Sequence, residues 1–559
     1  MSKILVIEHA SSNIAIKLKC LSLEYNMQSD DFEIHRWLIS NKEILSTASK
    51  LIIPVRLGFE DAEYMGLYIG LHIRLTKELD NVRFLPILFI TDESKEDILS
   101  NQIKKGKEKS GLLLFTKASY LVSALDLNEF ILKKFASIEI ENYDVDFLNH
   151  LSITIPENSG HHSVANEWGA FRLAKFAGYT LNLEKPSSLY FKFKDSFTNN
   201  EIVPNANNII GHFNESCKAL LIDDNADTGW GEVLVHILKN KVVMPGKVSS
   251  LDQIRTFEDA MNFTDYFKYD LVFLDLRMIK EEDNINYICN IEEFTGTKIL
   301  RKIKNVNTGI QVIMFTASNK VWNIEKLLEM GANGYYIKES PEYVQNDVFS
   351  KENYNELLVT IKKALSLKYL KQVDAIHRKC LNFISMNRPI RTNSYQRFYD
   401  RSIASFDIAY QLLVKTTLAP KYFNLAFLIY FQIIEDFVGQ RENFLRKTNR
   451  ECYVGSHRIR VIDDTTGKLI WKLTFKQDPN NIKYFEIFDE TKTHEESIQT
   501  LAKVSFVLAF VFNKNNVYLK KWANLNNIRN TKAAHGGANG YVTSANIEEL
   551  LEIIELIFS

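Results

Sequence analysis

The chain has 559 residues, 46% of them hydrophobic and 25% charged, with a net charge of −1. That length exceeds what one core organises and points to several domains, and the near-neutral charge excludes a global pull toward nucleic acid, leaving only local patches. The five cysteines (Cys20, Cys217, Cys289, Cys380, Cys452) lack CxxC spacing, against a metal knuckle or disulfide framework, and with neither a signal-peptide pattern nor an apolar run of membrane-spanning length, a cytoplasmic protein without membrane contact is expected.

The N-terminal stretch opens on Lys3–Glu8, a short apolar run that predicts a first strand. Further runs at Leu51–Val55, Phe84–Ile90 and Leu112–Thr116 are spaced widely enough for helices between them, so residues 1–160 are expected to form an α/β domain. A helix start is expected around Gly160-His161-His162-Ser163. Either His161 or His162 is a candidate phosphoryl relay, and a helix-capping and packing role is the alternative. Residues 196–215, rich in Asn with Gly and Pro, read as a linker, making 161–215 a helical connector.

Residues 216–369 carry the densest chemistry. Lys218–Asp224 is an apolar run ending in the pair Asp223-Asp224, Asp270–Arg277 passes through Asp275, Gln311–Ala317 delivers Thr316, and Gly334–Lys338 delivers Lys338. Short buried runs separated by amphipathic stretches are the pattern of a parallel sheet. In such sheets ligands bind at the carboxyl ends of the strands, where all these residues fall. Three carboxylates suit a hard cation such as Mg²⁺, a neutralised Asp275 can act as nucleophile, and Thr316 and Lys338 offer a hydroxyl and a cation to phosphoryl oxygens. Carboxylates that only cap helices are the bland alternative.

This order of acidic pair, acceptor Asp, Thr-Ala and Lys before a polar-Pro turn (Lys338-Glu339-Ser340-Pro341) resembles the receiver domain of two-component response regulators. The resemblance implies a flavodoxin-like fold and a cognate histidine kinase as phosphodonor. It also implies Asp275 as phosphoacceptor and Mg²⁺ held by Asp223, Asp224, Asp275 and the Arg277 main-chain carbonyl. Thr316 and Tyr335 would form the conformational relay. The chain departs from the pattern in a lengthened segment around Ile279–Glu293 and in Trp230-Gly231 of the first helix, and neither is expected to touch a chemical residue. By the same resemblance the N-terminal domain, residues 1–160, is expected to be a degenerate, non-phosphorylatable receiver-like unit with a sensing or docking role. Glu8 stands alone in place of an acidic pair, and Arg56-Leu57-Gly58 occupies the acceptor position.

Residues 370–559 read as mainly helical. Ser402–Leu418 and Tyr422–Val438 predict a helical hairpin through Ala419-Pro420, with further helices at Ser497–Phe512 and Ala545–Phe558. The alternating runs His457–Ile462 and Lys468–Phe475, joined by a Gly-containing turn, predict a β-hairpin insertion. Arg529, Asn530 and His535 form an R-N-x4-H motif before Gly536-Gly537. The motif resembles the HEPN family of small helical ribonucleases, which implies RNA as substrate and a homodimer that assembles two copies of the motif. In metal-independent cleavage a histidine exchanges protons near neutral pH, an arginine holds the phosphorane charge, and Asn530 positions one of them. The resemblance implies a phospho-regulated endoribonuclease in stress or anti-phage defence. The rival expectation is a non-catalytic signalling adaptor whose helical domain dimerises or binds a partner.

Overall fold

The computed structural model describes residues 3–26, 31–57, 64–104, 108–154, 161–181, 188–197, 216–239, 247–283, 290–316, 321–341, 347–388, 393–440, 446–447, 451–454, 457–460, 472–478, 481–486, 500–534 and 540–559. The first sheet is built from β1 (Lys3–Glu8), β2 (Leu21–Glu24), β3 (Ala48–Pro54), β4 (Ile87–Ile90) and β5 (Ser119–Val122), all parallel in the order β2-β1-β3-β4-β5. The second sheet repeats that order with β6 (Ser216–Ile222), β7 (Lys247–Ile254), β8 (Leu271–Asp275), β9 (Gln311–Thr316) and β10 (Gly334–Ile337), as β10-β9-β8-β6-β7. The strands β4, β8 and β9 are buried along their whole length, which is why they read as unbroken apolar runs.

One expectation for the first sheet is corrected. Leu112–Thr116 lies largely within a 3-10 segment, Glu108–Phe115, and the edge strand is the following Ser119–Val122. Burial of Leu113 and Leu114 gives a turn the same apolar signature as a strand. The strand β2 is short and mostly exposed, so it carries little hydrophobic signal.

Helices cover both faces of the second sheet. One face packs Gly231–Lys239, Asp347–Ser366 and the helix His161–Phe176, here called the connector helix. The other face packs Phe257–Asn262, Thr295–Val306 and Val321–Glu329. The connector helix belongs to two cores. Val164 and Trp168 are buried with the first sheet, while Ala170, Leu173, Ala174 and Phe176 are buried with the second. Most of the segment read as a linker lies outside the described residues.

The C-terminal helices Leu370–Asn387, Asn393–Val414, Lys421–Val438, Thr500–Phe506, Asn516–Ile528 and Ser544–Ile557 share one core. The hairpin around Pro420 and the two later helices stand where the periodicity places them. Between them, β11 (Arg446–Lys447), β12 (Glu451–Val454) and β13 (His457–Arg460) form an antiparallel unit, and β14 (Lys472–Asp478) pairs with β15 (Asn481–Glu486). Among the described residues β13 therefore pairs backward and β14 forward, unlike the expected pairing of those two runs with each other. The intervening turn lies outside the described residues.

Leu370–Asn387 also joins the helical module to the second sheet, so we call it the bridging helix. Its Lys371 pairs with Asp270 at 2.5 Å, Asp374 accepts from the Thr308 hydroxyl at 2.6 Å, and Arg378 donates to the Asn305 carbonyl at 2.9 Å. These contacts lie at the amino edge of the sheet, just before β8 and β9. Among the described residues no helix is long and apolar enough to cross a membrane.

Candidate functional site

The site forms where the strands of the second sheet end. Parallel pairing sets Ile222 beside Leu274, so the next residues, Asp223 and Asp275, emerge side by side. Carboxylate oxygens of Asp223, Asp224 and Asp275 lie within 4.8 Å of one another. The strand pairing Ile337↔Thr316 brings in Lys338, whose amide donates to the Thr316 carbonyl at 2.7 Å. The Lys338 Nζ then lies 2.9 Å from Asp223 Oδ2 and 2.9 Å from Asp275 Oδ2. Gly296 permits this packing: a Cβ there would come 2.1 Å from the Asp275 carbonyl oxygen, so the helix Thr295–Val306 can begin hard against the strand end.

The electrostatics follow from three acids, two buried and one half-buried, facing one ammonium. Burial pushes the Asp275 carboxyl well above the usual carboxylate range, with Lys338 opposing the rise and Asp223 adding to it. Asp224 is raised by burial and then by Asp223. Burial by itself would lower the Lys338 ammonium, but Asp223 and Asp275 outweigh it and hold the group above its ordinary value. One lysine does not balance three acids at this spacing. The donor set of oxygen ligands and surplus negative charge fits a hard divalent cation held by Asp223, Asp224 and Asp275.

The remaining residues expected at the site are placed as follows. Thr316 is buried at the end of β9, beside Lys338. Tyr335 is half-buried on the opposite sheet face from Tyr336, packed against the core beneath Thr295–Val306. Arg277 lies two residues past Asp275 with its guanidinium 5.7 Å from the Phe294 ring centre. His161 and His162 open the connector helix, and their side chains are not among those described.

One expectation about departures from the receiver pattern is corrected. Trp230 does touch the chemistry: its ring, fully buried, lies 5.2 Å from Lys338 Nζ and forms one wall of the pocket. Sequence reasoning also missed Asn166. Its Oδ1 accepts from Lys338 Nζ at 3.1 Å, although the residue belongs to the connector helix and not to the sheet. A buried polar residue within an apolar helix face was the available signal, but its partner is 172 positions away.

The first sheet offers no equivalent cluster among the described residues. The Glu8 carboxylate accepts from the Ile14 amide at 2.9 Å and from the Ser22 hydroxyl at 2.9 Å, so it caps a short helix and pins β2. At the end of β3, Arg56 pairs with Glu93 at 2.8 Å.

In the helical module, Arg529 and Asn530 open a π-helical turn, Arg529–Ala533, that continues Asn516–Ile528. The Arg529 Nη1 donates to Asn530 Oδ1 at 3.0 Å, its Nη2 lies 3.9 Å from Glu435 Oε1, and its guanidinium sits 5.6 Å from the Phe431 ring centre. His535 and the Gly536-Gly537 cap lie outside the described residues.

Comparison with known proteins agrees with the two sheets. The family described as Inactive Receiver domain matches residues 1–122, and the Response regulator receiver domain matches residues 219–346. The chain carries two receiver domains. The chain is similar to a two-component response regulator from Clostridium difficile at 23% identity, covering 26% of this chain and 96% of that one, with a TM-score of 0.18. A BeF3-activated DrrB receiver domain matches at 22% identity over 27% of this chain and 98% of its own, also with a TM-score of 0.18. A probable two-component response regulator/GGDEF domain protein matches at 13% identity over 64% of this chain and 100% of its own, with a TM-score of 0.16. No curated protein matches the chain.

Proposed function

We propose that the protein is a phosphorylation-controlled signalling protein in which the central receiver takes a phosphoryl group on Asp275. The observation that carries this reading is the Asp223, Asp224, Asp275 and Lys338 constellation at the carboxyl edge of the second sheet. Receiver domains interact with a phosphodonor such as a histidine kinase. In the reaction an Asp275 carboxylate oxygen bonds to phosphorus as the donor bond breaks, and the leaving group departs with the electron pair. Lys338 is placed to hold a phosphoryl oxygen, and the Thr316 hydroxyl supplies a donor from the neighbouring strand. Mg²⁺, held by Asp223, Asp224, Asp275 and the Arg277 carbonyl, would neutralise the incoming negative charge. Tyr335 follows Thr316 as the second half of the relay.

The purified full chain, given acetyl phosphate and Mg²⁺, is expected to take up one acid-stable, base-labile phosphoryl group. Asp275→Asn is expected to reduce uptake to background. Undiminished labelling of that variant refutes the assignment.

For the output we propose RNA cleavage by the helical module. The support is the Arg529–Asn530 pair on one turn and the motif order that ends in His535. In this reading the RNA 2′-oxygen bonds to phosphorus while the 5′-oxygen leaves protonated. His535 residues exchange the protons, Arg529 holds the phosphorane charge, and two copies complete the site in a homodimer. Glu435, 3.9 Å from Arg529, competes for that cation. Arg529→Ala or His535→Ala is expected to lower cleavage at least ~100-fold, as loss of a catalytic group does. A chain that never cuts RNA, in either phosphorylation state, leaves the helical module as a non-catalytic adaptor platform.

A further inference from the structure

The phosphoacceptor pocket is roofed by a helix that is not part of the receiver. Gly169 of the connector helix allows the close approach: a Cβ there would meet the Trp230 ring at 2.9 Å and the Glu339 carbonyl oxygen at 3.1 Å. Three residues earlier, Asn166 reaches Lys338 Nζ at 3.1 Å, and three residues later Arg172 donates to Glu339 Oε2 at 3.3 Å and to the Ser350 hydroxyl at 2.9 Å. Asn166, Gly169 and Arg172 thus form one i, i+3, i+6 stripe along the helix. With this roof in place the Asp275, Lys338 and Asn166 residues are each no more than 6% exposed.

The Lys338 ammonium has three donors. Asp223 Oδ2, Asp275 Oδ2 and Asn166 Oδ1 lie at 2.9, 2.9 and 3.1 Å and account for all of them. A phosphoryl group on Asp275 needs one of these donors, and Asn166 is the only neutral acceptor of the three.

We propose, resting on the phosphoacceptor reading above, that Asn166, supplied from outside the receiver, restrains phosphoryl transfer by holding the Lys338 donor that the phosphoryl group needs, and that it reports occupancy of Asp275 to the connector helix. When Lys338 turns to the phosphoryl oxygens it releases the Asn166 Oδ1, and the stripe loses its hydrogen bond to Lys338. The same helix buries Val164 and Trp168 in the inactive receiver, with the Trp168 ring 5.4 Å from Phe191 in an edge-on contact. A change at Asp275 therefore reaches the inactive receiver through one rigid element. The inactive receiver becomes a reader of its neighbour's state.

The sign of two substitutions at one position separates restraint of Lys338 from simple support. Asn166→Ala frees a Lys338 donor and opens the roof, so uptake from acetyl phosphate rises about fivefold, the worth of one hydrogen bond. Asn166→Asp keeps the side-chain volume but sets a further carboxylate against Lys338 and the incoming anion, so uptake falls by a similar factor. A merely structural residue moves both variants in the same direction. On adding beryllium fluoride with Mg²⁺ to the full-length chain, hydrogen exchange across residues 161–176 rises in the natural protein, and that response is lost in Asn166→Ala although beryllium fluoride still binds. If the natural chain is labelled on Asp275 but both variants shift alike, or neither shifts, the role of Asn166 is overturned and the phosphoacceptor reading stands. If the natural chain takes no label at all, both fall together.

Discussion

His377 shows how a single buried group sets the chemistry around it. It sits inside the helical module with a ring nitrogen 2.9 Å from the Tyr430 hydroxyl and its ring 4.7 Å from Phe406. Burial pulls its imidazole down to about 4, with Asp374 resisting the fall. In the inactive receiver His72 is pulled down to about 4 in the same way, first by burial and then by Lys192, with Asp31 opposing. The unfolded chain protonates these rings near their ordinary pKa of about 6.5, so between about pH 6.5 and 4 it binds protons that the fold refuses, and stability drops as pH falls through that window. Thermal unfolding at about pH 7 and about pH 5 is expected to show the fall, and His377→Phe is expected to blunt it in the helical module while costing about 1 kcal/mol for the unpaired Tyr430 hydroxyl. An acid limb unchanged by the substitution removes His377 as its source.

Among the elements, the bridging helix ties the helical module to the second sheet. Its closest approach is at Gly309, where a Cβ would come 2.2 Å from the Leu370 carbonyl carbon and 2.4 Å from the Lys371 amide nitrogen. Only backbone lies there, so nothing yields cheaply. Gly309→Ala is expected to push the bridging helix off the sheet edge, weakening the Thr308–Asp374 and Arg378–Asn305 hydrogen bonds and costing about 1–3 kcal/mol, as overpacking does. The readout is faster hydrogen exchange at residues 370–378, with the second sheet's core strands unchanged. The strands most legible in the sequence are apolar runs with both faces covered. β6, β8 and β9 are of this kind, and the site was legible with them because Asp223, Asp275 and Thr316 stand at their ends. β7 reads as Lys-Val-Ser-Ser-Leu-Asp-Gln-Ile and lies at the sheet edge, so its polar alternation hid it. Asn166 and Trp230 were not legible as pocket residues, because a helix packing across a sheet end leaves no local pattern.

Across the whole molecule, the two receivers and the helical module are joined by shared structure. The connector helix lends side chains to two cores, and Arg172, 1% exposed, faces Glu339 of the central receiver and Asp195, 3.6 Å away, on the helix Leu189–Ser196. The bridging helix meets the opposite edge of the same sheet. In the proposed reading, occupancy of Asp275 would have two routes out, one at each end of the strands, and everything downstream would depend on whether that carboxylate is modified. Peptide mass mapping of the full chain after acetyl phosphate, Mg²⁺ and borohydride reduction tests this most directly, because reduction converts a phosphorylated aspartate to homoserine. The account predicts homoserine at position 275 and nowhere in the inactive receiver. Homoserine at another aspartate, or none after extended treatment of folded protein, contradicts it.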